Sequence, residues 1–410
     1  MSENKPLAGI KVVEWTTFVA APVCGRIMAD WGADVTKIET PDGDYWRTYG
    51  PKMELPGEDG ENPLFDLTNA NKKAVTLNLR TPGGKEIMEK MIAGCDVFIT
   101  NSRTKVLKKL GFDYESIKAK YPRVIFATIT GYGDEGPEAH RPGFDIVSFW
   151  AHGGFMADMR VADGLSEPIN SPGAMGDIST GSMLFGAVMG ALYARSKTGR
   201  GDKVSVSLYG GAVWTMGVMV TAAQKKYGYK YPRERELSKP SSATYKCKDG
   251  EYISIAAAQY ERDFPKLCAI LGIPEVAQMP EYRDYDTMAL DENRVPMLHR
   301  FEEIFLTRPS AEWDELLTAA DLPHDVLAHF KDITDDEQAQ VNHFVEQVTF
   351  RNGEQAWLPR PCIVSENLGL PEYRLAPLLG EHSEQVLAEL GYTQEQIARF
   401  KNDGAIFAVK

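Results

Sequence analysis

The sequence predicts an α/β protein whose first half forms a parallel β-sheet. From residue 10 to residue 208, short apolar runs typical of strands alternate with helical patterns, and this alternation indicates βαβ units. The chain is also 410 residues long, with 43% hydrophobic and 25% charged residues. This length and composition favour two globular domains over one core or a disordered chain.

Six strands are predicted in order along this half. Their ranges are Ile10–Trp15, Asp34–Glu39, Ala74–Leu79, Asp96–Thr100, Arg123–Thr130 and Lys203–Leu208. The helical patterns between and after them are Pro22–Trp31, Lys85–Met91, two short segments before the fifth strand, Ser179–Arg195 and Tyr209–Tyr227. Between Asp42 and Lys73, frequent Gly, Pro and Asn predict a long irregular excursion, and such excursions are usually functional or disordered.

The second half begins with a change of composition. Gly228–Ser242 is basic and rich in Tyr and Pro, without apolar periodicity, which is typical of a linker between domains. A hairpin is predicted around Asp249-Gly250, because this pair favours a tight turn, and helical patterns run from 263 to 330. The tail contains a second hairpin signal at Asn352-Gly353 and an amphipathic helix at Ser383–Leu390.

Charge and cysteine usage exclude several function classes. The net charge of −13 argues against nucleic acid or an anionic membrane as the main partner, since both require a positive field. The five cysteines are scattered and never in CxxC spacing, which excludes a disulfide scaffold or zinc ribbon and fits a reducing cytoplasm. The seven histidines are isolated, so no metal site is predicted. With a polar start and no long apolar run, the expectation is a soluble cytoplasmic protein.

The strongest local signal is Gly176-Asp177 at the start of a helix rich in small residues. An aspartate at a helix start is usually an N-cap, whose side chain accepts from the second or third backbone N–H. The same position also suits a nucleophile, because helix-start N–H groups stabilise an anion and a carboxylate is already ionised at neutral pH. The flanking glycines leave room for a substrate. From spacing alone both readings stand, with the N-cap favoured.

The segment Gly131–Gly136 follows a strand and matches GxGxxG, but it is a weak dinucleotide signal. The fingerprint requires a helix to begin inside the motif, and Pro137, Pro142 and Gly143 follow instead. No Walker loop is present, so ATP-driven acyl activation lacks its phosphate cradle. A Gly-x-Ser-x-Gly elbow is absent as well, which leaves a serine hydrolase little support.

A group of cations lies at or just beyond the predicted strand ends, where open α/β sheets bind ligands. Its members are Lys72, Lys73, Arg80, Arg103, Lys109 and Arg141. Such a group suits a polyphosphate. Each cation taken singly is more simply read as a solvated surface charge.

In combination these motifs resemble family III CoA-transferases, the CaiB/BaiF family, along nearly the whole chain. The matching segments are Leu7–Trp15, Ala20–Pro22, Trp31–Glu39, Asn71–Lys73, Thr100–Arg103, Gly131–Gly133, Arg141–Asp145, Gly176–Asp177, Thr198–Gly201 and Ala376–His382. The run from Glu61 to Lys73, together with Tyr245–Gly250, is most similar to the 2-hydroxyacid branch, whose members serve amino-acid fermentation.

The resemblance implies a Rossmann-like large domain built from both chain ends (1–227 and 331–410), a linker at 228–242 and an inserted α+β domain at 243–330. It also implies an interlocked homodimer. By the same resemblance Asp177 is the nucleophile, and CoA passes between an acyl-CoA donor and a free acid through an aspartyl-CoA thioester. Coenzyme A is then a substrate, and no tightly bound cofactor is expected. The CoA-binding positions implied are Val19, Ala20, Leu77, Arg80, Asn101, Ser102, Arg103, Lys109, Arg141, Phe144 and Asp145.

Three departures from the formyl-CoA transferase pattern limit what the resemblance implies. Val19 stands where that enzyme has glutamine, Thr40 replaces an arginine that contacts CoA, and its glycine-rich substrate loop has no counterpart. Formyl and oxalate are therefore not the expected groups.

The acceptor is expected to be a 2-hydroxy acid with an apolar side chain. Apolar residues that suit its pocket are Trp15, Phe18, Val19, Phe144, Phe149 and Trp150, although core packing is the favoured explanation for most of them. Backbone N–H groups near Gly153-Gly154 and at the helix start are candidate stabilisers of the tetrahedral intermediates.

Two alternatives stay open at this point. One is an α-methylacyl-CoA racemase-like enzyme, although Phe144 stands where racemases carry a histidine and cannot exchange a proton. The other is a non-catalytic acyl-CoA binding protein in which Asp177 only caps its helix.

Overall fold

A computed structural model gives the three-dimensional structure of the chain and describes residues 5–160, 162, 166–171, 173–363, 365–366 and 369–407. The chain divides into two compact units. The first contains Met1–Phe155, Asn170–Ala222 and Glu337–Lys410, and the second contains Met156–Ile169 and Ala223–Asp336. The first unit is thus assembled from three separate stretches of sequence.

The strands of the described residues are numbered in chain order. They are β1 Lys11–Trp15, β2 Asp34–Glu39, β3 Lys73–Leu77, β4 Val97–Thr100, β5 Ile125–Thr130, β6 Lys203–Ser207, β7 Thr244–Lys246, β8 Tyr252–Ile255, β9 His324–Val326, β10 Val345–Thr349, β11 Gln355–Pro359 and β12 Ile406–Phe407.

The helices are numbered in the same way. They are α1 Ala20–Asp30, α2 Pro63–Asn69, α3 Pro82–Ala93, α4 Thr104–Leu110, α5 Tyr114–Lys120, α6 Phe155–Asp158, α7 Met175–Thr198, α8 Leu208–Thr215, α9 Gly217–Ala222, α10 Tyr260–Ile270, α11 Tyr285–Met288, α12 Asp291–Phe305, α13 Ser310–Ala319, α14 Glu337–Val341, α15 Ser383–Glu389 and α16 Gln394–Asn402. A π-helical segment occupies Asp145–Ala151.

A seven-stranded sheet lies at the centre of the first unit, in the order β12-β3-β2-β1-β4-β5-β6. The six strands β1–β6 are all parallel, and β12 pairs antiparallel with β3 at the edge. The predicted parallel α/β sheet is thereby confirmed, and its order reverses between β1 and β4. Open sheets of this type bind ligands at the carboxyl ends of the strands beside such a reversal.

Burial on both faces explains why the central strands read as continuous apolar runs. Val12 and Val13 of β1 and nearly all of β4 and β5 are buried. All of α1 is buried as well. Its two charged residues, Arg26 and Asp30, form an ion pair at 2.8 Å within the same helix. The sheet and α1 therefore form the rigid base of this unit.

The second unit has its own core around the antiparallel sheet β7-β8-β9. Tyr245 of β7 stacks on Phe305 of α12 at a centroid distance of 4.6 Å, and Trp313 of α13 is fully buried. This unit includes residues 156–169, which lie in the sequence range assigned above to the large domain.

Several local predictions were wrong. The helix predicted at Tyr209–Tyr227 is two short helices, α8 and α9, and the helical stretch at 263–330 contains the strand β9. The irregular excursion contains α2, which begins at Pro63 with the Asn62 side chain accepting from the Phe65 N–H at 3.2 Å. The hairpin predicted at Asn352-Gly353 is confirmed as β10–β11.

Candidate active site

The helix α7 begins at Met175, after Ala174 in a left-handed conformation with φ 55°. Asp177 therefore lies in the first turn of the helix and is not its N-cap. The N-cap interpretation favoured by the spacing was wrong.

Asp145 takes the capping role instead. Its carboxylate oxygen Oδ1 accepts a hydrogen bond from the Asp177 N–H at 3.1 Å, and the Gly176 N–H also donates to this carboxylate. Ser171 Oγ lies 3.4 Å from the other oxygen, Oδ2. A carboxylate at a helix N-terminus is stabilised by unpaired N–H groups and by the helix dipole. Asp145 thus occupies backbone N–H groups that could otherwise donate to a substrate anion.

The Asp177 carboxylate is left without such donors. Among the residues that the structure describes, none donates a hydrogen bond to it. Loss of hydration on burial, followed by repulsion from Asp145, raises the pKa of Asp177 to about 7. The raised pKa lowers the ionised fraction that the sequence predicts for this group at neutral pH. When ionised, it is a weakly solvated carboxylate, which suits nucleophilic attack.

Glycine lets the second turn of α7 touch the start of α1. A Cβ atom on Gly181 would lie 2.3 Å from the carbonyl oxygen of Ala20, so only glycine fits here. This contact places Ala20, one of the predicted CoA-binding positions, against α7 one turn beyond Asp177.

A second glycine contact returns the loop after β5 to the site. A Cβ on Gly143 would lie 2.4 Å from the Cα of Gly131, the residue that follows β5. The intervening segment 132–142 therefore forms a closed excursion, and Phe144 and Asp145 come back to the end of the strand. Of the three glycines that imitate a dinucleotide fingerprint, Gly131 serves this close backbone packing, whereas Gly133 and Gly136 have open space and a positive φ.

Other predicted CoA positions lie at the carboxyl ends of β3 and β4. Leu77 is the buried last residue of β3, and Arg80 is exposed in the turn beyond it. Asn101 binds the loop after β1: its side chain accepts from the Thr17 N–H at 3.0 Å and donates to the Thr17 carbonyl at 2.8 Å.

Two more positions follow Asn101 directly, and two lie apart. The Ser102 N–H donates to Thr100 Oγ1, and Arg103 is the exposed residue before α4. Lys109 is exposed in the last turn of α4. Arg141 forms an ion pair with Glu138 and covers the Tyr132 ring at 4.7 Å. No contact of the described side chains links Lys109 or Arg141 to Asp177.

The predicted cation group separates into buried and exposed members. Lys72 is buried, and its Nζ lies 2.9 Å from Glu14 in an ion pair inside the unit. Lys73 pairs with Asp34 at 3.1 Å and with Glu389 at 3.0 Å. These two lysines are not available to a polyphosphate, and that part of the interpretation was wrong.

Three cations of the group are exposed. The side chains of Arg80, Arg103 and Lys109 form no ion pair with any residue that the structure describes. They remain candidates for phosphate binding.

The predicted oxyanion donors are already engaged. The Gly153 N–H donates to the Phe149 carbonyl at 3.1 Å, and the Gly154 N–H donates to the Ala151 carbonyl at 3.3 Å. The helix-start N–H groups of α7 bind Asp145, as described above. Phe149 and Trp150 are buried in the core, so they do not line an open acyl pocket.

Over the described ranges, no three His, Cys, Asp or Glu side chains are placed to hold a metal ion. No helix in the same ranges is both long and apolar enough to cross a bilayer.

A family model described as CoA-transferase family III matches residues 7–383. The chain belongs to this family. The resemblance seen in the sequence is thereby confirmed, and the chain is an enzyme that transfers coenzyme A, with an acyl-CoA and a carboxylic acid as its substrates.

Two curated relatives match this CoA-transferase over almost its full length. The (R)-2-hydroxy-4-methylpentanoate CoA-transferase of Clostridioides difficile is 39% identical over 402 residues, covering 98% of this chain and 99% of the relative. The cinnamoyl-CoA:phenyllactate CoA-transferase of Clostridium sporogenes is 38% identical over 405 residues, covering 98% of each. A crystal structure of a CaiB/BaiF family protein from Brucella suis superposes with a TM-score of 0.79 at 30% identity, covering 95% of this chain and 100% of that one.

Sequence reasoning did not include Tyr45, Trp46 and Tyr49 in the site of this CoA-transferase, although all three rings contact Phe18. They lie in the Gly- and Pro-rich excursion. An aromatic run inside a long excursion is a signal that would have singled them out, because excursions of this kind are often functional.

Proposed function

We propose that this CoA-transferase moves CoA from an acyl-CoA to a 2-hydroxy acid with an apolar side chain, and that Asp177 is the nucleophile. The observation that carries the proposal is the Asp177 carboxylate itself: it is partly buried, receives no hydrogen bond from the described residues and lies beside the start of α1. The two curated relatives, named for 2-hydroxy-4-methylpentanoate and phenyllactate, support the class of acid.

The reaction proceeds through two exchanges on the same carboxylate. An Asp177 oxygen attacks the thioester carbonyl of the donor, the C–S bond breaks, and a mixed anhydride and CoA thiolate result. The thiolate then attacks the aspartyl carbonyl, which releases the donor acid and leaves an aspartyl-CoA thioester. The acceptor carboxylate repeats these steps in reverse order and leaves as its CoA thioester. Thioester replaces thioester, so no ATP is consumed and no proton is lost overall.

Asp145 acts in this scheme as a positioning residue. It holds the start of α7 and keeps the backbone donors there occupied, so the nucleophile stays poorly solvated. Burial without donors raises the energy of the ionised carboxylate more than that of the neutral anhydride or thioester. The arrangement therefore favours acylation of Asp177.

We also infer that the phosphates of CoA bind at the exposed cations Arg80, Arg103 and Lys109, whose loops follow β3 and β4. In this proposal CoA arrives as a substrate without a tightly bound cofactor. The resemblance to the family further supports an inserted small domain and an interlocked homodimer, which sedimentation at micromolar concentration tests directly.

The chemical test traps the intermediate. Incubation with acyl-CoA followed by hydroxylamine is expected to convert Asp177 to its hydroxamate, seen as a mass change in one peptide. Asp177→Asn is expected to show no label and no CoA transfer, while Asp403→Asn, a change at an exposed aspartate after α16, behaves like the wild type. Normal transfer without a label, or substantial transfer by Asp177→Asn, would show that another group carries the acyl moiety.

A further inference from the structure

The loop after β1, Thr16–Phe18, is held by side chains from three other segments. Lys37 Nζ in β2 donates to the Thr16 carbonyl at 3.2 Å. The Asn101 side chain, after β4, binds both the N–H and the carbonyl of Thr17. Asp44 Oδ1 accepts from the Phe18 N–H at 3.1 Å. Every residue of this short loop is therefore fixed through its backbone.

Buried charges hold these side chains in place. Lys37 Nζ lies 2.9 Å from Asp44 and 3.6 Å from Glu14, and all three side chains are fully buried. Lys72 pairs with Glu14 from the other side at 2.9 Å. A buried ion pair of this kind resists rearrangement, because moving one partner leaves the other charge unpaired away from water. The loop is thus rigid at its base.

Phe18 has an uncommon backbone conformation. Its φ angle of 61° lies in the left-handed region, which disfavours a large side chain and which glycine adopts freely. A non-glycine residue persists there only when its surroundings over-determine it, and such positions cluster at functional sites. The backbone contacts of this loop hold Phe18 in that conformation. The contacts of the Phe18 ring therefore indicate its function.

The ring lies at the centre of an aromatic surface formed by Phe18, Tyr45, Trp46, Tyr49 and Phe144. Its centroid is 5.3 Å from that of Phe144 and 5.6 Å from that of Tyr45. These two neighbours are largely open, with Phe144 53% and Tyr45 48% exposed, whereas Trp46 is buried beneath them. The aromatic surface therefore presents open rings on a buried aromatic base.

This aromatic surface adjoins the nucleophile through the chain itself. Phe144 directly precedes Asp145, whose carboxylate binds the Asp177 N–H at 3.1 Å. The exposed cations Arg80 and Arg103, which suit the phosphates of CoA, lie on other loops, after β3 and β4. Phe144 is therefore the chain neighbour of the residue that binds the Asp177 backbone, and the Phe18 ring contacts Phe144.

We propose that Phe18 is a specificity-determining residue, whose ring receives the side chain of the 2-hydroxy acid together with that of Phe144. The inference rests on the proposed function and adds to it the residue that selects among acids. Open aromatic faces bury more apolar surface with a large apolar side chain than with the methyl group of lactate. Larger apolar 2-hydroxy acids are therefore preferred to lactate. The fixed backbone keeps the ring in the position that makes this selection.

The test compares acceptors in a ping-pong reaction, in which kcat/KM for the acid does not depend on the donor. We expect Phe18→Gly and Phe18→Leu to lower the kcat/KM ratio of phenyllactate to lactate about 10-fold or more, with the lactate value retained. Glycine adopts the left-handed conformation freely, but Phe18→Gly also removes a ring that contacts four others, so we expect a folded protein with a lower Tm, while Phe18→Leu keeps an apolar side chain in the same place. Tyr193→Ala serves as the matched control, since this exposed ring lies 16 residues along α7 from the nucleophile, about 24 Å of helix, and it should leave the ratio unchanged.

An unchanged ratio in both Phe18 variants would overturn the proposal and leave the ring a packing element. Equal losses for all acids would overturn it too, because the ring would then contact the CoA portion common to every substrate. Hydroxylamine labelling of Asp177 separates these results from failure of the proposed function. If the wild type transfers CoA without a label, the nucleophile assignment fails, whereas a labelled wild type with an unchanged ratio refutes only the role of Phe18.

Discussion

Replacing Asp177 with asparagine is expected to stabilise the folded chain while abolishing transfer. The pKa of Asp177 rises from its ordinary 3.8 to about 7 in the folded protein. The ionised form is thus disfavoured by folding, and the destabilisation grows as the pH rises above 3.8 and becomes constant above about 7. At about 1.4 kcal/mol for each pKa unit, the upper bound is about 4 kcal/mol. Because the side chain is partly exposed, we expect about 1–2 kcal/mol, or roughly 2–4 °C in Tm.

The assay is thermal unfolding of wild type and Asp177→Asn at equal protein concentration between pH 4 and pH 9. Asparagine has nearly the same shape and no charge, so the two proteins should have similar Tm values near pH 4, diverge between about pH 4 and pH 7, and keep a constant difference at higher pH. Asp403→Asn, at an exposed position, should show no such divergence. A Tm gain that is the same at every pH, or no gain at pH 8, would refute the assignment of a strained carboxylate at this position.

Three further changes test the packing around the site. Asp145→Asn removes the charge that faces the nucleophile, so the pKa of the nucleophile falls and the acid limb of the pH–rate profile should move down by roughly one pH unit; an unmoved limb would exclude this coupling. Gly143→Ala places a Cβ 2.4 Å from the Cα of Gly131, so it should lower turnover and reduce the free energy of unfolding by about 1–3 kcal/mol. Gly186→Ala, at a position on α7 with open space, should be neutral or slightly stabilising in thermal unfolding. Lys72→Met removes one of the two lysines that pair with the buried Glu14 and leaves only the longer contact to Lys37, so it should cost about 3 kcal/mol. Arg103→Met should keep the Tm and raise KM for acyl-CoA, and the reverse pattern in calorimetry and kinetics would contradict the division into buried and exposed cations.

The central sheet was predictable because its signals are local. The strand Asp34–Glu39 was predicted residue for residue, since its β-branched residues Val35, Thr36 and Ile38 follow directly after the turn at Gly32. The strands β9 and β12 contain three and two residues, too few to show any periodicity. β12 exists only because Phe407 and Ile406 meet β3 across some 330 positions of the chain, and no local pattern encodes such a contact.

The sequence identified which residues belong to the candidate site, but not which residues pair with them. Asp177 was singled out correctly as unusual, but whether Lys72 is exposed depends on Glu14, 58 residues away. Phe18 appeared only as one apolar residue among several, because its left-handed backbone follows from contacts with Asp44 and its neighbours. Residue type and spacing thus identified the chemistry available, and long-range pairing decided which groups are free to use it.

The two carboxylates at the start of α7 show why that pairing matters for the reaction. If Asp177 were the N-cap, the helix N–H groups would stabilise its charge, lower its pKa and make it a poorer nucleophile. Asp145 occupies those donors from a loop 32 residues earlier, and Gly143 and Gly131 fix the return of that loop. The helix start is therefore satisfied without Asp177, whose carboxylate stays free for its proposed role as nucleophile. Moving the cap onto Asp177 by removing Asp145 would give a better-solvated and less reactive carboxylate, so the placement of the cap on another segment favours the proposed mechanism.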